Sequence, residues 1–69
     1  MSGVQTNDII ARRLLGAYEI RQRLDRGELT LQRGPYTYDE AARRARVLAH
    51  DYKSIAWIED ADGMLRMLA

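Results

Sequence analysis

The chain has 69 residues, no cysteine, and eleven basic against ten acidic side chains for a formal net charge of +1. That length holds one domain, taken as 1–69, which buries roughly 60% of the surface its unfolded form exposes and has an expected stability of about 3–10 kcal/mol. The missing cysteines exclude disulfide staples, thiolate zinc sites and cysteine nucleophiles, and the charge is too balanced for an obligate polyanion binder yet too positive for a mimic of DNA. No apolar run approaches the ~18 residues of a membrane span, and "MSGVQTND" lacks the basic-then-apolar order of a signal peptide, so the expected location is the cytoplasm. Ten of the eleven basic residues are arginine. Bidentate recognition of phosphate or carboxylate would favour that bias, and so would a GC-rich coding sequence.

The first segment, "TNDIIARRLLGAYEIRQRLDRG", offers Thr6, Asn7 or Asp8 as an N-cap and Gly27 as a left-handed stop, and predicts a helix over roughly 7–26. At ~100° per residue its apolar positions spread over about half the circumference. Such an arc has two explanations: the helix lies deep against a sheet, or the part around Leu15 and Tyr18 packs against a second copy in a homodimer. "ELTLQ" alternates with period two and predicts a short edge strand over 28–32, which Arg33, Gly34 and Pro35 end. Thr37 followed by Glu40 is a T-x-x-E capping box, and it predicts a second helix over 38–53 with four alanines in its apolar arc. "SIAWIEDADGMLRML" predicts an antiparallel hairpin over 54–68, turning through Asp60, Ala61, Asp62 and Gly63. The expected fold class is therefore α+β in the order α-β-α-β-β, a three-stranded, mainly antiparallel sheet with two helices on one face.

Catalysis needs a positioned nucleophile, base or metal, and the inventory is thin. His50 is the only histidine and stands on a charged helix side, while Ser54 has no triad partner nearby in sequence. D-A-D-G at 60–63 has the look of a calcium-loop fragment, but the loop's first position would be Ile58 and its last Ala69, so the turn reading prevails. The glycines form no phosphate-binding pattern. These residues point away from an enzyme and imply no cofactor or metal.

What remains is the stripe of Arg43, Arg46, His50 and Lys53 at helical spacing along 38–53. It is the candidate partner-binding surface, either tracking nucleic-acid phosphates or meeting an acidic protein patch. Asp39 interrupts the stripe, and Glu40 and Asp51 line the opposite flank, a mixture also found on solvated helices. "DEAARRARVLAHDYKSIAWIED" resembles the "EEAA…WI" look of small excisionase-type helix-turn-helix proteins, without the glycine that marks their turn. As a whole, the two capped helices and the C-terminal hairpin resemble the small, cysteine-free α+β proteins of phages and mobile elements, among them the anti-CRISPR proteins. That resemblance implies a non-enzymatic inhibitor that occupies a CRISPR effector complex and blocks recognition of target DNA. The alternative from another class is a small DNA-binding regulator using the basic helix face.

Overall fold

The computed structural model of the chain describes residues 3–68; positions 1, 2 and 69 of the expected domain lie outside the described residues. The segment expected to be the first helix is a β-hairpin, β1 (Ile9–Leu14) and β2 (Ala17–Leu24), followed by β3 (Gly27–Tyr36), a single helix α1 (Tyr38–Tyr52), β4 (Ala56–Glu59) and β5 (Leu65–Met67). The architecture is α+β, but with five strands in the order β3-β2-β1-β4-β5 and one helix instead of three strands and two. β1 pairs with β2 antiparallel and with β4 parallel, so the sheet is mixed.

The physical reason for the difference lies at 14–17. Leu14 and Ala17 are opposite each other across a two-residue turn in which Leu15 and Gly16 both take positive φ, 52° and 85°. That is the geometry favoured in tight hairpins, and with it Ile9, Ala11, Tyr18 and Ile20 fall on one side of the sheet. Leu15 occupies a place where asparagine or glycine is usual, so the local signal was masked. Gly27 is not the left-handed stop of a helix but the first residue of β3, where it takes a φ of 126°. Its strand continues to Tyr36, longer than expected, and pairs with β2 and not with the C-terminal hairpin.

Two expectations hold. Thr37 caps α1: its hydroxyl accepts from the Glu40 amide at 3.2 Å, and the Glu40 carboxylate accepts from the Thr37 amide at 3.0 Å. β4 and β5 form the antiparallel hairpin, turned by Asp60 Oδ1, which accepts from the amides of Asp62 and Met64 at 3.0 and 2.9 Å. Trp57 is accordingly a strand residue.

Strand directions decide where α1 lies. β3 and β4 run parallel, so α1 is the crossover between them and passes over β2 and β1. Ala41, Ala42, Ala45 and Ala49 let it settle closely on Ile9, Ala11, Ile20 and Ile58, all fully buried. Tyr18 completes this core, its ring edge-on to Tyr38 at 5.7 Å and its hydroxyl donating to the Glu59 carbonyl at 2.9 Å. Burial pushes that hydroxyl above its ordinary pKa.

Candidate binding surface on the helix

Alternation along the strands puts Ile10, Arg12, Glu19, Arg21, Glu28, Trp57 and Glu59 on the sheet face turned away from α1. No helix covers this side, yet Ile10 is fully buried between its cross-strand neighbours Arg21 and Trp57. Ion pairs form the cover. Arg12 bonds both carboxylate oxygens of Glu28, with Nε to Oε1 at 3.2 Å, and reaches Glu59 at 3.2 Å. Arg21 bonds Glu19 at 2.6 Å, and its Nε lies 2.9 Å from Glu28 as an ion pair off the line of a hydrogen bond. The bond to Glu28 holds the Arg12 guanidinium above its ordinary pKa against the opposing effect of burial, and Glu59 adds to it. Beside this lattice Asp8 is buried, accepting from Trp57 Nε1 at 2.9 Å and from the amides of Gln5 and Ile55 at 2.9 and 3.2 Å.

These contacts leave a biased surface elsewhere. Three of the eleven basic side chains (Arg12, Arg21 and Arg23) and four of the ten acidic ones (Asp8, Glu19, Glu28 and Glu59) lie on the open face, so eight cations and six carboxylates are carried by the rest of the molecule. With Arg23 opposite Glu28 the face holds three arginines against three glutamates and Asp8, a net negative set that makes it a poor phosphate binder, and the basic character of the chain lies away from it.

Much of it lies on α1. The structure brings Arg43, Arg46 and His50 onto the outer side of the helix, all exposed, with Lys53 just beyond as its left-handed C-cap at φ 55°. At 1.5 Å per residue the row spans about 15 Å. It forms a crest between two grooves. Arg43 borders the one between α1 and β3, with a volume of about 480 Å³. Arg46 and His50 border a smaller one, about 270 Å³, toward Ile55 and Leu68. Arg44 leans the other way, stacked 4.4 Å over the Tyr36 ring and donating to Gln32 Oε1 at 3.3 Å. Asp39 and Glu40 sit in the first turn of α1, where the dipole favours them, and the Glu40 carboxylate is occupied by the Thr37 amide and hydroxyl, which hold it below the ordinary carboxylate pKa.

The expected dimer contact does not survive as a surface. Leu15 is fully exposed at the tip of the β1–β2 turn, whereas Tyr18 is buried in the core, and the helix flank meant to join them does not exist. The excisionase-like stretch likewise lacks its second helix, because Trp57 lies in β4. Strand reasoning would have found the missed residues: Arg12, Glu19 and Arg21 alternate with the apolar positions of β1 and β2, but that pattern shows only once the hairpin is recognised. Among the described residues no group of three or more His, Cys, Asp or Glu is placed to hold a metal ion, and no helix is long and apolar enough to cross a membrane. No family model, curated protein or solved structure matches the chain.

Proposed function

We propose that the protein is a small non-enzymatic inhibitor or adaptor that meets an acidic patch of a protein partner with the basic crest of α1, Arg43, Arg46, His50 and Lys53. One observation carries this reading: the sheet consumes four carboxylates on its open face, while the crest stays exposed on a helix anchored closely to the core by alanines. A row of basic side chains on a helix held firmly to the core steers and orients an acidic partner at little ordering cost. The narrowest form is an anti-CRISPR protein acting on an effector complex. It rests on the resemblance in size and in the capped helix and hairpin, one helix fewer than expected.

The test titrates a purified CRISPR effector complex and a labelled random DNA duplex with the wild type and with Arg43→Glu/Arg46→Glu. Effector binding lost in the double variant, with no duplex binding at physiological salt, supports the proposal. Tight duplex binding that weakens by roughly 0.9 log units per log unit of salt for each phosphate contact, and disappears in the variant, would instead establish the DNA-binding regulator. Binding of neither ligand removes the anti-CRISPR form.

A further inference from the structure

α1 packs on β4, β1 and β2 and does not reach β5. Ile58 is buried beneath the helix, and Arg66 stands directly opposite it on β5, so Arg66 lies on the helix side of the sheet. Leu68, two residues further on, shares that side and packs against the core. Between α1 and β5 runs the smaller groove, about 270 Å³, whose helical rim is Arg46 and His50. Its remaining surface is largely apolar, with Ile55 exposed at one end and Leu68 half-buried along the side.

The two grooves beside α1 differ in charge. The one toward β3 holds Glu40 and Asp51 among its arginines, and Arg44 there is engaged with Tyr36 and Gln32. The one toward β5 is lined by no carboxylate among the described residues. The carbonyls at the C-terminal end of α1, which would repel an anion, are already occupied: those of Ala49 and His50 accept from the amides of Lys53 and Ser54. Ser54 closes this end of the groove, and its Oγ is buried with no hydrogen-bond partner among the described residues. A buried hydroxyl in that state costs stability. Rotation about its single χ1 turns it toward the groove, where a ligand oxygen can accept from it.

We propose that this groove seats the carboxylate of an acidic side chain on a partner protein, with an apolar neighbour in the partner's chain resting on Ile55 and Leu68. The Ser54 hydroxyl and the His50 ring donate at the foot of the groove, and the guanidinium groups of Arg46 and Arg66 supply the charge from its two rims. A bare phosphate would leave the apolar lining in water; an acidic residue beside an apolar one covers both parts. The assignment rests on the reading above, that the crest meets an acidic protein, and adds where the acid sits.

NMR titration of the isotope-labelled protein tests it, with four probes: the blocked tripeptides Leu-Glu-Leu, Leu-Gln-Leu and Gly-Glu-Gly, and inorganic phosphate. Leu-Glu-Leu should shift the amides from Ala49 to Ala56 and that of Leu68, and should bind about tenfold more tightly than either other peptide, as for one hydrogen bond to a charged group. Ser54→Ala should weaken it by a similar factor without lowering the thermal midpoint, because the hydroxyl removed has no partner in the free protein. Arg66→Gln should weaken it a few-fold, and Arg43→Gln should not change it. No shift from any probe, shifts confined to Arg43 and Arg44, phosphate binding tighter than the peptide, or full affinity in Ser54→Ala would each overturn the groove assignment. The effector titration with Arg43→Glu/Arg46→Glu judges the crest separately, so a groove that fails here is distinguished from a crest that fails there.

Discussion

The two faces of the sheet are closed by different physics. Under α1, fully buried isoleucines meet a row of alanines, and fit alone excludes water. On the other face Ile10 and Trp57 are shut in by two arginines, three glutamates and Asp8. The first kind of closure depends on shape and leaves the outer side of the helix free to carry charge. The second uses the charges themselves, so the ionic side chains of that face are spent on one another, and the large apolar residues it leaves exposed are Leu14 and Met67 at its ends. A chain this small can cover a five-stranded sheet with one helix because side chains that usually face solvent are drawn into the second cover.

The largest test of that contrast is Ile58→Ala on the covered face. Ile58 has no exposed surface, and its truncation should cost about 2–5 kcal/mol, enough to unfold much of a domain of this size. Denaturant melts measure it, and a cost below about 1 kcal/mol would mean that shape is not what closes that face. On the open face, Arg12→Ala takes the cation from Glu59 and leaves Glu28 with Arg21 alone, both in a half-buried setting, and should cost about 1.5–3 kcal/mol, as for hydrogen bonds to charged groups. A neutral result in the same melts would reduce the lattice to surface ornament. Trp57→Phe keeps the ring but removes the donor to Asp8. The expected loss is about 1–1.5 kcal/mol, with faster amide exchange at Ile55, whose amide shares that carboxylate.

Smaller effects probe how α1 is held over the covered face. Thr37→Ala removes the cap and should cost about 1 kcal/mol. The Glu40 half of the box adds a pH dependence whose sign follows from its lowered folded pKa. Its contribution is complete above the ordinary carboxylate value near ~4.3 and disappears as pH falls through the lower folded value. The stability difference between the wild type and Glu40→Ala should therefore be constant from pH 7 to about pH 5 and shrink toward pH 3.

What could be read from sequence was whatever is specified within a few residues. The box at Thr37 and Glu40, the alanine arc behind it and the Asp60–Gly63 turn are each complete in a short window, and all three stand. The segment 7–26 failed because its apolar residues satisfy two periods at once. Ile9, Ala11, Tyr18 and Ile20 line one side of a hairpin as readily as they spread over a helix, and the deciding turn carries Leu15 where Asn-Gly would have announced it. Asp8, expected among the N-cap candidates, instead holds Trp57, 49 positions away. The basic crest was legible because it lies on the correctly placed helix. The lattice was not, since Arg12 finds Glu28 and Glu59 only after four strands are in register.

The most direct test of the central claim, that the open face is sealed by its own charges and α1 is the surface left for a partner, is the arginine side-chain NMR spectrum of the intact protein. Held in ion pairs, the Nε–H signals of Arg12 and Arg21 should be dispersed, slow to exchange and unmoved when salt is raised, whereas that of Arg43 on the crest should exchange fast. If instead Arg12 and Arg21 exchange as fast as Arg43, the open face is not sealed. It would then be as available to a partner as α1, and the contrast between the two faces would collapse.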